Sequence, residues 1–263
     1  MFYHNLDPVA FNIGAVKVHW YGLMYLIGFM IAWILGRSRA GQAISGVNLS
    51  SKALEDFIFY GAVGVLLGGR VGYLLFYDLN SILNDPWLIF KVWEGGMSFH
   101  GGLLGVIIAL GFFASKLKLP FFQLLDFAAP LVPIGLGLGR IGNFINAELF
   151  GRVTSVPWAV VFSSVDNFWR HPSQLYEALT EGLLLFIVLW RFSASPRRTG
   201  ATSAVFLIGY GIIRFTCEFF REPDSHLGFV IGGWLTMGQL LSLLMILAGI
   251  WLVVLVSCRK LKY

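Results

Sequence analysis

The sequence predicts an all-α polytopic membrane protein. Its 263 residues are 57% hydrophobic and only 13% charged, whereas a soluble domain usually carries about 25% charged residues. The apolar residues form long continuous runs, unlike the alternating pattern of a transmembrane barrel. A helix satisfies its backbone hydrogen bonds internally, so such runs are expected to cross a membrane as helices.

Seven apolar runs approach the length of about 17–25 residues that a helix needs to cross the hydrocarbon layer. The predicted spans are residues 18–36, 53–76, 97–115, 120–140, 173–191, 202–219 and 234–256. They form a single transmembrane domain, 1–263, with three further parts: an outer arm (1–17), an interfacial segment (77–96) and an outer cap insertion (141–172).

Local composition supports the interfacial segment and the cap. Trp87 and Trp93 are expected at the headgroup level, which tryptophan favours. The run 153–162 in the cap is rich in β-formers, and its Pro157 should restrict any strand to a sheet edge.

Cys217 and Cys258 fall at opposite ends of their spans and are expected to be free, since a disulfide needs Cα atoms within about 7 Å.

Lysine and arginine are distributed unevenly between the alternate loops. The richer set comprises Arg37, Arg39, Lys52, Lys116, Lys118, Arg191, Arg197, Arg198, Arg259, Lys260 and Lys262. The poorer set comprises Lys17, Lys91, Arg152, Arg170 and Arg221. The positive-inside rule makes the richer side cytoplasmic, with the N-terminus outside and the C-terminus inside. Because the basic loops are short, they indicate topology and no nucleic-acid partner.

Polar residues lie inside or at the ends of the predicted spans, where a charge costs at least about 2.5–3.5 kcal/mol. Tyr21, Arg70, His100, Arg140 and Arg214 belong to five different spans and are all predicted near the outer end. This shared depth predicts one polar cavity in the outer half of the bilayer.

The sixth predicted span carries Tyr210, Arg214, Glu218 and Arg221 along one helix face, because they are spaced four, four and three residues apart. Glu218 is the expected partner of Arg214, since an unpaired buried charge is severely destabilising. A purely structural ion pair between helices is the alternative interpretation. If the face lines a cavity, the planar arginine side chains are suited to a phosphate group.

His100 is a candidate proton-transfer group, because histidine titrates near neutral pH. Gly101 and Gly102 are expected to leave space around its imidazole ring. Glu177 and Glu181, one turn apart, are an acidic-site candidate but are interpreted first as a helix start facing a wet groove. The sequence contains no Gly-x-Ser-x-Gly elbow, Walker loop or His-x-x-x-His zinc pair.

The segment Gly139-Arg140-Ile141-Gly142-Asn143-Phe144-Ile145-Asn146-Ala147-Glu148-Leu149-Phe150-Gly151 resembles the signature of bacterial prolipoprotein diacylglyceryl transferases, Gly-Arg-x-Gly-Asn-Phe-x-Asn-x-Glu-x-x-Gly. Other matching segments are His19–Tyr25, Gly95–Leu103, His171–Glu177, Gly209–Gly211, and Arg214 with Glu218–Arg221. The resemblance covers nearly the whole chain. The cap between 152 and 170 looks shorter than in some relatives.

The resemblance implies a transferase of the bacterial inner membrane that acts toward the periplasmic leaflet. It would move the diacylglyceryl group of phosphatidylglycerol to the lipobox cysteine thiol of a preprolipoprotein signal peptide, releasing glycerol phosphate. The thiol nucleophile then comes from the substrate, and no metal or cofactor is expected. The partners are phosphatidylglycerol, the signal peptide and membrane lipids.

The residues expected to carry this reaction fall into two groups. The catalytic group is His100, Arg140, Arg214, Tyr210 and Glu218. The phosphatidylglycerol-binding group is Arg140, Arg214, Tyr21, Arg70, Asn143, Asn146, Glu148 and Gly151. Arg140 and Arg214 would clamp the phosphate, and His100 would act either as the base toward the thiol or as an orienting donor.

Two other functions are consistent with intramembrane charges. An anion or lipid transporter is the main alternative, but its polar groups would be expected near the midplane between inverted repeats. Seven spans do not divide into two such halves. A non-enzymatic lipid-binding scaffold is the third interpretation, and it would tolerate the loss of His100.

Overall fold

The computed structural model describes residues 2–14, 16–40, 47, 49–91, 95–223 and 228–258. Trp93 and the basic residues Arg259, Lys260 and Lys262, which the sequence analysis used, lie outside these ranges. Contacts divide the chain into two compact units, one formed by Met1–Ala32 with Asp126–Tyr263 and the other by Trp33–Leu125. Each unit is described separately.

Helices account for most of the described residues. They are α1 (Trp20–Arg39), α2 (Ser51–Tyr77), α3 (Leu79–Asn84), α4 (Phe99–Lys116), α5 (Phe121–Ala128), α6 (Val132–Ile145), α7 (Ser173–Glu177), α8 (Leu185–Phe192), α9 (Ala201–Cys217) and α10 (Met237–Cys258). A 3₁₀-helix covers Pro86–Ile89, and a π-helix covers Ala178–Leu184 between α7 and α8.

Four helices in the described part of the chain are long and apolar enough to cross a membrane: α1, α2, α4 and α10. The pair α5 and α6 adds a fifth span if its 50° bend is counted within one crossing. The chain is therefore a mostly helical polytopic membrane protein. The remaining predicted spans coincide with α7–α8, which the π-helix interrupts, and with α9, which has 17 residues.

Within the unit Trp33–Leu125, α2 and α4 pack through glycines. A methyl group at Gly72 would lie 2.6 Å from the Cα of Gly101, and one at Gly68 would lie 2.7 Å from the Cα of Gly105. Small residues allow this close approach of two helices in a membrane. Gly101 and Gly102 are buried, and Gly101 serves helix packing. His100 itself is exposed, and the expectation that the two glycines leave space around its imidazole ring stays a prediction.

The other unit contains short strands, so the chain is not purely α-helical. They are β1 (Phe2–His4), β2 (Val9–Ile13), β3 (Val16–His19), β4 (Val160–Phe162), β5 (Trp169–Arg170), β6 (Phe229–Ile231) and β7 (Leu235–Thr236). One sheet has the order β1-β4-β5, with β1 parallel and β5 antiparallel to β4. The other strands form the hairpins β2–β3 and β6–β7.

The β-rich run in the cap is only partly a strand. Val160–Phe162 form β4, whereas Pro157 lies in the preceding turn. Because the proline is outside the ladder, β4 is the central strand of its sheet, and the predicted edge position is wrong. Phe162 is fully buried in a cluster that includes Phe144 from α6, so the strand anchors the end of that helix.

Helix packing in this unit brings α6, the π-helix and α9 together. A methyl group at Gly137 on α6 would lie 3.0 Å from the Cα of Gly182 in the π-helix. The carboxylate of Asp126 accepts hydrogen bonds from the backbone of Gly200 and Ser203 at 2.6 and 2.7 Å, which satisfies free N–H groups at the start of α9. Cys217 and Cys258 are both free, as expected.

Candidate active site

A buried pair of glutamates lies where α7 passes into the π-helix. Glu177 and Glu181 have no exposed side-chain surface. π-helical turns are rare and often occur at functional sites, because the extra residue changes which side chains share a face. The prediction that these glutamates start a helix facing a wet groove is wrong, since both carboxylates bind arginines.

Arg140 comes from α6 and meets both carboxylates. Its Nε lies 3.1 Å from Oε2 of Glu177 and 3.2 Å from Oε2 of Glu181, and its Nη2 lies 3.1 Å from the same Glu181 oxygen. Nη1 has no hydrogen-bonding partner among the residues that the structure describes. The Arg140 side chain is 16% exposed, so it is the most accessible member of the group.

Arg214 comes from α9 and is bound more completely. Its Nη1 pairs with Oε1 of Glu177, and its Nη2 lies 2.6 Å from Oε2 of Glu218. Both terminal nitrogens therefore contact carboxylates, and the side chain is 9% exposed. The expected Arg214–Glu218 pair is confirmed. Arg140 and Arg214, which belong to different helices, meet around the shared carboxylate of Glu177.

We call Arg140, Glu177, Glu181, Arg214, Glu218 and Arg221 the buried ion cluster. Arg221 is its outermost contact, with Nη1 4.0 Å from Oε2 of Glu218. Three arginines and three glutamates leave the cluster formally neutral. Removing one partner from such a group leaves an uncompensated buried charge, which costs about 3–5 kcal/mol. The cluster therefore holds its arginines in fixed positions.

Tyr210 lies on α9 one turn before Arg214. Its ring is stacked on Phe206 at 5.9 Å and packs with Leu185 and Leu189 of α8. Because it is spaced four residues from Arg214 on the same helix, it lies on the helix face that carries Arg214. Of the predicted catalytic residues, the structure thus brings Arg140, Arg214, Glu218 and Tyr210 together.

The remainder of the glycine-rich signature forms a polar turn at the end of α6. Asn143 and Asn146 donate to the two oxygens of Glu148, at 3.2 and 3.3 Å. Ala147 and Leu149 have left-handed backbone angles, with φ of 55° and 53°. Non-glycine residues rarely adopt this conformation, and such strain concentrates at functional sites.

Two residues without a predicted role stabilise this turn by hydrogen bonds. The amide of Gln174 donates to the carbonyl of Glu148 at 2.6 Å, and the hydroxyl of Ser173 donates to the carbonyl of Leu149 at 3.1 Å. Both side chains are fully buried. Their positions four and three residues before Glu177, in the matching segment that begins with His171, were the available signal.

Tyr21 and Gly151 contact the signature from outside the turn. The ring of Tyr21 packs on α6 at Gly142, where a methyl group would lie 2.9 Å from its Cδ2 atom. The Tyr21 hydroxyl lies 3.4 Å from that of Tyr25. Gly151 bridges to Arg221, and a methyl group there would lie 2.6 Å from the Cβ of His171. Only glycine fits that position.

His100 and Arg70 belong to the other unit. His100 lies in the first turn of α4, is exposed, and touches the ring of Phe99. Arg70 is buried on α2, and its guanidinium donates to backbone carbonyls of Leu88 and Gly95. These contacts hold Leu88 and Gly95 to α2, so Arg70 has a structural role, and its phosphatidylglycerol-binding role stays a prediction.

The fold and the buried ion cluster define a polytopic membrane protein with a neutral arginine–carboxylate site beside a strained, asparagine-rich turn. The sequence profile of the prolipoprotein diacylglyceryl transferases matches residues 8–255. The chain therefore belongs to the prolipoprotein diacylglyceryl transferase family.

Several bacterial proteins named phosphatidylglycerol–prolipoprotein diacylglyceryl transferase are similar to the chain. The protein from Legionella pneumophila (strain Lens) is 57% identical over 250 residues, which are 95% of this chain and 97% of the relative. The protein from Chromohalobacter salexigens is 58% identical over 252 residues, 96% and 93% of the two chains. The protein from Coxiella burnetii (strain RSA 331 / Henzerling II) is 55% identical over 249 residues, 95% of each.

Proposed function

We propose that this protein transfers the diacylglyceryl group of phosphatidylglycerol to the cysteine thiol of a prolipoprotein. The transferase names of relatives at 55–58% identity support this activity and both substrates. The observation in the molecule that carries the proposal is the meeting of Arg140 and Arg214 in one buried ion cluster. Two arginines fixed side by side are suited to a phosphodiester.

Arg140 is the arginine that meets the phosphate first. Glu181 contacts the Nε and Nη2 donors of Arg140, while the Arg140 side chain keeps 16% of its surface exposed. A guanidinium has five N–H donors, so the donors on Nη1 remain for a ligand. Arg214 lies deeper and completes the clamp through its position beside Glu177. Preorganised donors of this kind usually supply a large part of a rate enhancement.

The proposed chemistry is a displacement at the glycerol carbon that carries the phosphate. The cysteine thiolate attacks this carbon, a C–S bond forms, and the C–O bond to the phosphate breaks. The leaving group is glycerol phosphate, whose developing negative charge is stabilised by Arg140. The thiol proton passes to a base, because the thiolate is the reactive form.

His100 is the proposed base or orienting donor. Its exposed position at the start of α4 allows exchange of a proton with the surroundings. Tyr21, Arg70, Asn143, Asn146 and Glu148 are proposed to shape the headgroup site, together with Tyr210. Gly151 contributes backbone shape at a position where any side chain would collide with His171.

The proposed setting is the bacterial inner membrane. Seven spans place the N-terminus and the cap in the periplasm and the C-terminus in the cytoplasm, as the distribution of basic loops indicates. The interfacial segment 77–96 then lies along the outer surface. The protein substrate is a preprolipoprotein signal peptide with a lipobox cysteine, and it reaches the site together with membrane lipid.

The test uses the purified chain in phosphatidylglycerol vesicles with a lipobox peptide. Thioether-linked lipid and glycerol phosphate should appear together, and a peptide with serine in place of the cysteine should give neither. Release of glycerol phosphate without the peptide, or movement of lipid without any covalent product, would contradict the proposal. His100→Gln tests the base separately, because retained turnover would rule out an obligatory base.

A further inference from the structure

The beginning of α10 contacts Glu218 in a way that the proposed mechanism does not use. The hydroxyl of Thr236 donates to Oε1 of Glu218 at 3.0 Å, and Thr236 is only 3% exposed. Gly238 faces the same carboxylate. A methyl group at position 238 would lie 2.8 Å from the Glu218 carboxyl carbon. Glu218 therefore fits against α10 only because position 238 has no side chain.

A capping box fixes the orientation of the Thr236 hydroxyl. Thr236 Oγ1 accepts from the backbone N–H of Gln239 at 3.2 Å, and the Gln239 side chain accepts from the backbone N–H of Thr236 at 3.1 Å. This reciprocal pattern satisfies two free donors at a helix start. Since Gln239 already donates to the hydroxyl oxygen, the hydroxyl proton is directed to Glu218.

Glu218 links this helix start to the buried ion cluster. One of its oxygens accepts from Thr236, and the other lies 2.6 Å from Nη2 of Arg214. The second oxygen also lies 4.0 Å from Arg221, which offers a competing cationic partner. The Thr236 hydroxyl thus selects the rotation of the carboxylate, and that rotation sets the position of Arg214.

We propose that Thr236 and Gly238 are positioning residues for the transfer reaction, acting through Glu218 on Arg214. This inference rests on the proposed function of Arg214 in the phosphate clamp. Without the hydroxyl, the Glu218 carboxylate can turn toward Arg221, and Arg214 then keeps only Glu177 and Glu181 of its three carboxylate partners. With a methyl group at position 238, the carboxylate is displaced directly.

The experiment compares Thr236→Val with Thr236→Ser in the full chain, assayed at varied mole fractions of phosphatidylglycerol in vesicles. Valine keeps the shape and removes the hydroxyl, whereas serine keeps both the cap and the donor. We expect Thr236→Val to lower kcat by roughly 10- to 100-fold, the effect of losing a hydrogen bond to a charged group. Thr236→Ser should stay within about threefold of the unmodified chain, a difference that marks the hydroxyl as the active feature.

Two further variants separate positioning from stability. Gly238→Ala leaves the capping box intact and should lower kcat at least tenfold, so it tests the idea even if Thr236→Val does not fold. Thr216→Val is the matched control, because among the described residues the Thr216 hydroxyl bonds only to the carbonyl of Ile212 on its own helix. This control should keep its kcat.

The inference is overturned if the valine and serine variants at position 236 have equal kcat values. It is also overturned if Gly238→Ala turns over normally, or if Thr216→Val loses as much activity as Thr236→Val. These outcomes are distinct from failure of the proposed function, in which the unmodified chain itself gives no thioether product. A drop in kcat for Thr236→Val with rescue by serine supports the positioning role.

Discussion

The buried ion cluster and the cap use the same chemical pair, arginine with a carboxylate, in different environments. In the cap, Arg170 donates to Asp166 at 2.6 Å and to the carbonyl of Gly151 at 3.0 Å, while Asp166 is 24% exposed. In the cluster, Glu177 and Glu181 have no exposed side-chain surface. The carboxylate of the cap pair is thus partly open to solvent, whereas these two cluster carboxylates are not.

This difference separates a local structural contact from a preorganised site. An exposed ion pair contributes about 0–1 kcal/mol, because solvent screens it and both side chains lose freedom. A buried cluster costs much more to disturb and keeps its charges in one arrangement. We therefore expect changes in the cluster to affect catalysis and folding strongly, and changes in the cap to have mild effects.

The largest expected effect is on catalysis. Arg140→Ala and Arg214→Ala should each lower transfer by roughly 10²–10³-fold, the usual result of removing one preorganised donor. Arg170→Ala in the cap should lower it by less than about tenfold, since it loses mainly hydrogen bonds of moderate strength. Rates of thioether formation in vesicles provide the measurement, with membrane insertion checked for each variant. Full activity of either cluster variant would contradict the proposed phosphate clamp.

The next effect is on stability. Glu177→Leu leaves two buried arginines without their shared carboxylate and should destabilise the fold by about 3–5 kcal/mol. Asp166→Ala in the cap should cost at most about 1 kcal/mol. Thermal unfolding in detergent gives both values. Equal losses for the two variants would show that burial does not distinguish the two regions.

The cap pair should also respond to acid. Arg170 holds the pKa of Asp166 below its usual range, mainly through their hydrogen bond. A carboxyl with a lowered folded pKa stabilises the fold above its unfolded pKa of about 3.9, and this contribution is lost as the pH falls through the folded pKa. Unfolding measured from pH 6 down to about pH 3 should therefore show a stability loss that Asp166→Asn lacks. An identical pH profile for the variant would exclude this source.

The smallest effect is expected at the outer face of the cap. Trp158 is exposed, and its indole donates to the Tyr176 hydroxyl at 2.6 Å, while His171 Nδ1 lies 3.1 Å from the same oxygen. Because Tyr176 keeps the second partner, Trp158→Phe should cost at most about 0.5 kcal/mol of stability, the lower end for one hydrogen bond. Transfer should change by less than about twofold. A large loss of activity would place the cap in the reaction and weaken the contrast with the cluster.

Much of the fold could be predicted from the sequence, because the length of an apolar run is set by consecutive residues. The runs at 18–36, 53–76, 97–115 and 234–256 correspond to helices that are long and apolar enough to span a membrane. The run at 120–140 is bent by 50° between α5 and α6, and the run at 173–191 contains a π-helix. Apolar composition does not encode such breaks, since they depend on how neighbouring helices pack.

Only some contacts of the candidate active site could be predicted from the sequence. The Arg214–Glu218 pair follows from i, i+4 spacing on one helix, and the structure confirms it. The arginine partners of Glu177 and Glu181 could not be predicted from spacing, because they lie 33 residues or more away along the chain. The capping-box spacing between Thr236 and Gln239 was present in the sequence, but it does not indicate that Thr236 contacts Glu218.

The sequence by itself determined that this protein is a helical membrane protein with costly charges in its spans, because hydrophobicity and charge are carried by each residue alone. It also carried the signature that shows the family. Only the tertiary structure decided which charges balance one another: Arg140 and Arg214 meet through Glu177, and Glu218 meets Thr236 on a different helix. The physical reason is that a buried charge must be neutralised by a group close in space, and for Arg140 that group, Glu177, is 37 residues away along the chain.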